Sequence, residues 1–322
     1  MSIVLEFDTV ILGGGPAGLS AGIYAARGAG NVAIVDISMF GGQPSNYLEL
    51  ENYPAFPIIG GYDLMEKMEE HADKFNVNKF PMQEIQKVDL ISNPKVIETL
   101  THTFKAKSVI IATGAQPRKL GVNGEKEFVG RGVSYCAICD GAFYKDKTVA
   151  VVGGGNAALE EAMYLTKFAQ KVYVIHRRNE FRADKIVQNL AFKNEKLEFV
   201  YDTVVNEILG DDTVKSVNIT NVKTSEVSSL DVDGVFPYIG FLPNTDLING
   251  QVKQDSNGFI ITDETLETSI KGVFAAGDVR VTPLRQVITA AADGAVAAVY
   301  AGKYVEALVN AETKIEEPIA NK

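Results

Sequence analysis

Cysteine and histidine are scarce in this sequence, which contains two cysteines and three histidines among 322 residues. A structural zinc site takes four ligands, usually Cys or His. His71, His102 and His176 lie far along the chain from the cysteines and from one another. The sequence therefore disfavours zinc, and we expect no bound metal.

Long hydrophobic runs and an excess of positive charge are also missing. No apolar run approaches the roughly 18 residues that a transmembrane helix requires. No basic residue precedes Arg27, so a secretory signal with a charged start is not expected. The formal net charge of −10 disfavours nucleic acid and anionic membrane surfaces as partners. We expect a cytoplasmic protein that binds neither nucleic acid nor membrane.

What remains is the composition of a globular protein, with 46% hydrophobic and 22% charged residues. A chain of 322 residues is longer than one ordinary compact domain, so we expect two domains with sizeable cores. Because the net charge is negative, an anionic ligand would need a local cluster of basic residues.

The two cysteines lie together in Cys136-Ala137-Ile138-Cys139 and are followed directly by Asp140. A Cys-x-x-Cys pair can be a redox-active dithiol, half of a zinc site, or two buried thiols. Reducing conditions in the cytoplasm disfavour a purely structural disulfide, and Asp140 could move protons as the thiols open and close. The redox-active dithiol is favoured, and an inert buried pair is the alternative.

Residues 8–36 show a strand, a glycine-rich turn, a helix and a second strand. The run Thr9–Leu12 is followed by Gly13-Gly14-Gly15-Pro16-Ala17-Gly18, and Asp36 stands 23 residues after Gly13. In such units the glycines allow a tight turn and close approach to a pyrophosphate, which faces the helix N-terminus, and an acidic residue binds a ribose diol. A glycine turn in any other α/β protein is the alternative interpretation.

The same unit returns 140 residues later, where positions 148–176 align with 8–36 without a gap. Two nucleotide-binding domains are implied. At the aligned end, Asp36 becomes His176, and Arg177, Arg178 and Arg182 follow. Arginine pairs with a 2′-phosphate that a carboxylate would repel. The first unit therefore predicts FAD, and the second predicts NADPH.

The other segments continue this pattern. Residues 63–75 predict an amphipathic helix, and the segments 83–108, 197–205 and 214–222 predict short strands that follow each nucleotide unit. Near the end, Gly272–Val279 predicts a strand that stops at Gly277-Asp278, followed by a helix over 285–301. This junction offers N–H groups and a carboxylate to a cofactor and is expected to complete the first domain. The tail after Ala311 is expected to fray.

Taken together, these segments resemble the low-molecular-weight thioredoxin reductases, members of the FAD/NAD(P)-dependent disulfide oxidoreductase superfamily, over nearly the whole chain. The segments that carry the resemblance are Gly13–Gly18, Gly41-Gly42-Gln43, Glu51–Pro54, Ala112–Ala115, Cys136–Gly141, Gly153–Ala158, His176–Ala183, Gly277–Val279 and Arg285-Gln286. Their order and spacing are more specific than any one of them. One departure is Asp36, which stands where the family usually has glutamate.

The resemblance implies an α/β fold with two Rossmann-like domains of three-layer ββα architecture. The FAD-binding domain would comprise residues 1–117 and 244–322, and the NADPH-binding domain, residues 118–243, would be inserted into it. The resemblance also implies a homodimer.

The same resemblance implies roles for individual residues. Cys139 would be the sulfur next to the flavin, Cys136 would attack the disulfide of a partner protein, and Asp140 would handle protons. The residues expected to bind FAD are Gly13, Gly15, Pro16, Ala17, Gly18, Asp36, Gly42, Gln43, Asn52, Thr113, Gly114, Gly277, Asp278, Arg285, Gln286 and Val287. The residues expected to bind NADPH are Gly153, Gly155, Asn156, Ala157, Ala158, His176, Arg177, Arg178, Arg182, Ile239 and Gly240.

The implied function is electron transfer from NADPH through FAD and the Cys136/Cys139 pair to thioredoxin or a thioredoxin-like protein. A ferredoxin-driven reductase is an alternative, although it would be expected to lack the NADPH signature. A peroxiredoxin or glutaredoxin-like partner is another, but a direct peroxiredoxin reductase would normally carry an additional N-terminal redox domain, which is not expected here. From a different class, a non-catalytic redox sensor would bind the nucleotides without turnover.

Overall fold

The computed structural model describes residues 2–47, 49–248 and 250–316. Within it the chain forms two compact units. The first unit consists of the residues up to Gln116 and those from Leu242 onward, and the second is continuous from Pro117 to Phe241. The second unit is thus an insertion into the chain of the first.

A seven-stranded sheet forms the centre of the first unit. Its two long strands, β1 (Ile3–Leu12) and β6 (His102–Ile111), are parallel neighbours. The strand order is β3-β2-β1-β6-β5-β4, and β16 also pairs with β6. The other strands are β2 (Val32–Val35), β3 (Asn78–Phe80), β4 (Ile85–Asp89), β5 (Lys95–Thr99) and β16 (Val273–Ala275).

The described part of the first unit contains three α-helices: α1 (Pro16–Arg27), α2 (Gly61–Asp73) and α6 (Val287–Glu316). α6 is longer than the predicted helix over 285–301, because no Gly or Pro interrupts the sequence between Gly302 and Pro318. The helix therefore continues past Ala311 to Glu316. The expected fraying of the tail stays a prediction, and the rest of that tail lies outside the described residues.

The core of the first unit lies on both faces of its parallel strands. On one face Ile11 and Ile110 pack with Ala21 of α1 and Ala297 of α6. On the other face Val10, Leu12 and Val109 pack with residues of β4 and β5, including Ile97. Because β2 is covered on both sides, all four of its residues are buried. Its sequence is accordingly a continuous apolar run instead of an alternating one.

The second unit contains two sheets. The parallel sheet has the order β10 (Leu197–Val200), β9 (Lys171–Ile175), β8 (Thr148–Gly153), β14 (Gly234–Tyr238). The antiparallel sheet has the order β11 (Thr203–Gly210), β12 (Val214–Asn221), β13 (Val227–Asp231). Its helices are α3 (Ala137–Asp140), α4 (Asn156–Leu165) and α5 (Lys185–Ala191).

The parallel sheet of the second unit is the middle of three layers. Val149 and Val151 of β8 pack on the helical side with Leu159. Ala150 of the same strand packs on the other side with Val217 of the antiparallel sheet. The alternation of β8 residues between two cores is what a strand buried on both faces produces. The predicted α/β class with ββα layers is confirmed.

The two segments that connect the units each form a short strand, β7 (Ala115–Pro117) and β15 (Phe241–Pro243), and these strands pair with each other. Among the described residues, no helix combines the length and apolar character needed to cross a bilayer. The described residues also contain no group of three or more His, Cys, Asp or Glu side chains that could hold a metal ion.

Candidate active site and nucleotide-binding sites

The two cysteines form a disulfide, with Cα atoms 5.3 Å apart. Cys136 is the N-cap residue of α3, and its sulfur accepts the backbone N–H of Cys139 at 3.2 Å. Both cysteines are half-buried, so they are not sealed in the core as an inert thiol pair would be. The structure therefore contains the oxidised form of a dithiol within reach of solvent.

Asp140 ends the same short helix. Burial raises the pKa of its carboxyl, and a hydrogen bond with Ser134 opposes that shift. Ser134 also accepts the backbone N–H of Cys136 at 3.1 Å. A carboxyl group with a raised pKa can hold a proton closer to neutral pH and exchange it with a thiolate. Sequence reasoning did not select Ser134, because a serine two residues before a cysteine has no distinctive pattern.

The residues expected at the flavin site follow the carboxyl ends of adjacent parallel strands in the first unit. They lie at the turns after β1, β2, β6 and β16 and at the start of α6. Because the carboxyl ends of parallel strands meet at one edge of a sheet, ligands of such folds bind there. Asn52 lies outside these turns, but its amide donates to the Gln286 side chain at 3.0 Å, across 234 residues of chain.

The glycines of the first fingerprint have different physical roles. Gly13 has a φ of 110°, and a Cβ there would lie 2.3 Å from the carbonyl oxygen of Ala112. At Gly18 a Cβ would lie 1.8 Å from the carbonyl oxygen of Gly13, so α1 could not pack on its strand. At Gly15 the nearest atom would be 3.8 Å away. A Cβ at Gly15 would thus make only ordinary contacts, with Gly41 and Gly42. The glycine turn lets the backbone approach a pyrophosphate, so the turn fits a dinucleotide.

Asp36 contacts the same turn. Its Oδ2 atom accepts the N–H of Gly14 at 2.5 Å, and its Oδ1 atom accepts both the N–H of Ser38 at 2.8 Å and the Ser38 hydroxyl at 2.9 Å. A carboxylate has about four acceptor positions. Asp36 therefore holds the turn in place and can still accept a hydrogen bond from a ribose hydroxyl.

The Gly277-Asp278 junction lies against the first fingerprint, since a Cβ at Gly277 would be 3.0 Å from the Cβ of Ala17. The N–H of Gly277 donates to Asp293 at 3.1 Å. Burial raises the pKa of Asp278 to about 6, the charge of Arg285 opposes the shift, and the charge of Asp293 adds to it. Asp293 lies in α6 with no motif around it, and sequence reasoning missed it.

The second fingerprint repeats the division of roles among its glycines. A Cβ at Gly153 would lie 2.4 Å from the carbonyl oxygen of Tyr238, whereas one at Gly155 would have no atom within 4 Å. The Asn156 amide exchanges two hydrogen bonds of 2.7 Å with Asp184, which fixes the start of α4. Ile239 and Gly240 directly follow β14, the neighbour of β8. The open side of Gly155 fits a second dinucleotide.

The predicted arginine cluster gathers around the end of β9. His176 is buried, and a Cβ at Gly154 would lie 2.2 Å from its ring. Burial lowers the pKa of His176, and the charges of Arg182, Arg177 and Arg178 lower it further. All three arginines are exposed. No ion pair of the described residues involves any of them. They are available to an anionic ligand.

The Gly155→Ala variant is expected to weaken nucleotide binding without loss of stability. The backbone at Gly155 has φ −95°, which alanine adopts without strain, and the added methyl group would occupy only the open side of the turn. Losing one charge-assisted contact to the pyrophosphate costs about 1.5–3 kcal/mol, so the KM for NADPH should rise about 10- to 100-fold. Steady-state kinetics and thermal melting measure the two quantities.

Gly302→Ala is the matched control, because that glycine of α6 also has no neighbour within 4 Å of a Cβ. It should leave the KM for NADPH unchanged. An unchanged KM in Gly155→Ala would show that this turn does not contact the nucleotide.

Comparison with known proteins gives a consistent family. Residues 7–294 match the family described as Pyridine nucleotide-disulphide oxidoreductase. The chain is 47% identical over 308 residues to a thioredoxin reductase of Peptoclostridium acidaminophilum, covering 94% of this chain and 98% of the relative. The crystal structure of a thioredoxin reductase from Streptococcus pyogenes matches with a TM-score of 0.88 and 48% identity, covering 94% of this chain and 99% of that one.

A more distant solved structure bears on the alternative electron donor. The ferredoxin-flavin thioredoxin reductase from Clostridium acetobutylicum matches with a TM-score of 0.51 and 32% identity, covering 95% of this chain and 99% of that one. The two fingerprints, the disulfide and these matches over nearly the full length agree. The chain belongs to the pyridine nucleotide-disulphide oxidoreductase family, and its place there is among the thioredoxin reductases.

Proposed function

We propose that the protein reduces the disulfide of thioredoxin, or of a thioredoxin-like protein, with electrons from NADPH. The observation that carries this proposal is the Cys136–Cys139 disulfide, half-buried and one residue from a carboxyl of raised pKa. The unit that holds this disulfide also carries the second fingerprint and three exposed arginines without ion pairs among the described residues. One unit thus contains both an electron-accepting disulfide and groups that suit a 2′-phosphate.

Members of this family use FAD and NADPH. When bound, FAD converts between the two-electron hydride chemistry of NADPH and thiol chemistry. The groups proposed to hold it are the glycine turn at Gly15, the carboxylate of Asp36 and the Gly277-Asp278 junction, all in the first unit. The groups proposed to hold NADPH are the open turn at Gly155 and the three arginines of the second unit.

The chemistry of the cysteines follows from thiol–disulfide exchange. Two electrons and two protons convert the Cys136–Cys139 disulfide to two thiols. The thiolate of Cys136 attacks the partner disulfide and forms a mixed disulfide, releasing one partner thiolate. Cys139 then attacks the sulfur of Cys136, which releases the reduced partner and restores the original disulfide. Asp140 is proposed to supply and take up protons during these steps, because its raised pKa suits both roles.

We also propose that the protein works as a homodimer in the cytoplasm. The resemblance to the low-molecular-weight reductases supports the dimer. A catalytic dithiol that must be re-reduced in each cycle suits a compartment where NADPH is supplied and structural disulfides are rare. Sedimentation of the purified holoprotein tests the dimer.

The decisive experiment measures NADPH oxidation by the purified flavin-containing protein with oxidised thioredoxin. NADPH consumption should depend on thioredoxin, with one NADPH oxidised for every two thiols formed, and should vanish when thioredoxin is omitted. Reduction driven only by reduced ferredoxin would support the alternative donor. Turnover with a peroxiredoxin or glutaredoxin-like protein, but not with thioredoxin, would move the assignment to that partner. Nucleotide binding without turnover with any of these proteins would favour a sensor.

A further inference from the structure

A chain of hydrogen bonds leads from the redox segment to the nucleotide-binding helix of the second unit. The backbone N–H of Ala137, the residue after Cys136, donates to the Tyr238 hydroxyl at 2.6 Å. That hydroxyl lies close enough to the Glu161 carboxyl to interact with it as a hydrogen-bond donor, and this interaction lowers the pKa of Glu161. Tyr238 is the last residue of β14, and Glu161 lies in the second turn of α4. Two side chains that no motif marks are thereby connected to the cysteine pair.

The direction of this chain is fixed by what each group can do. A backbone N–H only donates, and an ionised carboxylate only accepts. The hydroxyl of Tyr238 must therefore accept from Ala137 and donate to Glu161. Hydrogen bonds in series polarise one another, so the charge of Glu161 makes the Tyr238 oxygen a more negative neighbour for the first turn of α3.

Burying the charge of a carboxylate at position 161 is unfavourable for folding. Its Oε2 atom is buried and has no hydrogen-bond partner among the residues that the structure describes. Burial, followed by the charge of Glu160, raises the pKa of Glu161 to about 6, and the bond with Tyr238 opposes the shift. A group with this pKa is still mostly ionised at neutral pH. A glutamine would fill the same space without burying a charge, so packing alone does not account for this residue.

We propose that Glu161 and Tyr238 are positioning residues that keep the reduced Cys136/Cys139 pair strongly reducing. Reduction creates thiolate charge at this turn, and the negative end of the Tyr238–Glu161 pair disfavours that charge. Stabilising the reduced form makes a dithiol a poorer electron donor. Because Glu161 and Tyr238 leave the reduced form less stable, the cysteine pair gives its electrons to a partner more readily. The inference rests on the proposed function only in that the pair is redox-active.

The test measures the dithiol–disulfide equilibrium of Glu161→Gln and Tyr238→Phe. Each holoprotein is equilibrated with mixtures of reduced and oxidised dithiothreitol, and free thiols are then blocked with an alkylating reagent and counted by mass spectrometry. The chain has two cysteines, so every alkylation reports this pair. Glu161→Gln should shift the equilibrium about threefold to tenfold toward the dithiol, where tenfold corresponds to about 30 mV. Tyr238→Phe should shift it in the same direction.

The matched control is Glu160→Gln, which removes the same charge from the exposed neighbouring position and should change the equilibrium less than about twofold. Because the charge acts through the hydroxyl, the double variant should shift no further than the larger single shift. The Glu161→Gln and Tyr238→Phe variants leave the other titratable groups of this region, Asp140, Tyr144 and Glu160, unchanged. A Glu161→Gln shift no larger than the control, a shift toward the disulfide, or additive single shifts would overturn the proposal.

This experiment needs neither NADPH nor thioredoxin. Its result is therefore independent of whether thioredoxin is the partner, whereas a wild-type pair that dithiothreitol could not reduce would contradict the proposed function itself. Thermal melting of each variant identifies a folding defect. Glu161→Gln and Tyr238→Phe each test the same connection, from the Glu161 carboxyl through the Tyr238 hydroxyl to Ala137. If both variants fold correctly and only one of them shifts the dithiol–disulfide equilibrium, the proposal is also refuted.

Discussion

Replacing either Cys136 or Cys139 with serine is expected to lower the rate of protein-disulfide reduction by about a thousandfold or more. A hydroxyl cannot complete thiol–disulfide exchange, because the reaction proceeds through a thiolate and a mixed disulfide. Reduction of bound flavin by NADPH should continue in both variants, since hydride transfer does not use the cysteine sulfurs. Stopped-flow absorbance of the flavin and a thioredoxin reduction assay measure the two steps separately.

The two variants should differ in what they trap. Cys139→Ser retains the attacking sulfur of Cys136. It should accumulate a stable mixed disulfide with a thioredoxin that lacks its second active-site cysteine and carries 5-thio-2-nitrobenzoate on the remaining one, because the aromatic thiolate leaves as the new disulfide forms. Cys136→Ser should accumulate little. Ser134→Ala is a useful comparison, since it removes hydrogen bonds to the redox segment but leaves both sulfurs. Equal trapping by the two cysteine variants would contradict the roles assigned to the sulfurs. Faster trapping by Cys136→Ser would reverse those roles.

Replacing both Arg177 and Arg178 with glutamine should lower kcat/KM for NADPH by about 100-fold or more. Each charge-assisted hydrogen bond contributes about 1.5–3 kcal/mol, and about 1.4 kcal/mol corresponds to a factor of ten. The lower end of that range applies, because both side chains are exposed and salt screens them. With NADH, which has no 2′-phosphate, kcat/KM should stay within about threefold. The ratio of the two constants is the quantity to measure.

Arg131→Gln provides the control for a lost surface charge. Arg131 is an exposed arginine of the same unit whose guanidinium donates to the carbonyl of Glu127 at 2.8 Å. It should leave both constants nearly unchanged. If kcat/KM of the Arg177/Arg178 variant fell equally with NADPH and NADH, the arginines would not bind the 2′-phosphate.

Much of the fold could be predicted because its two nucleotide units follow local rules. The second strand predicted within residues 8–36 is β2, Val32–Val35. The glycine turns and their following helices were equally visible. The short strands β3 and β13 were missed, because neither has a sustained apolar alternation and both depend on pairing with a neighbouring strand. Sequence alone carries little information about such edge pairings.

The residues of the candidate site also fall into those that the sequence predicts and those that it does not. Residues in fingerprints, such as Gly15 and Asp36, could be assigned from spacing. Ser134, Glu161 and Tyr238 could not, since their importance comes from hydrogen bonds that join separate elements and leave no periodic trace. Sequence separation also concealed Asp293, which caps the N–H of Gly277 from within α6. Residues of this kind emerge only when the fold brings distant segments together.

The insertion of one unit into the other has a consequence for how the protein is made. The second unit is continuous from Pro117 to Phe241, so all of it is synthesised before β16 and α6. Until then the first unit lacks the strand that pairs with β6 and the helix whose Gly294 lies against Ala17 of α1. Domains fold as units during synthesis, so the inserted unit can become native first. Flavin capture, which is proposed to use both the early turn at Gly15 and the late junction at Gly277, is then expected to be the last event, so that only complete chains become yellow.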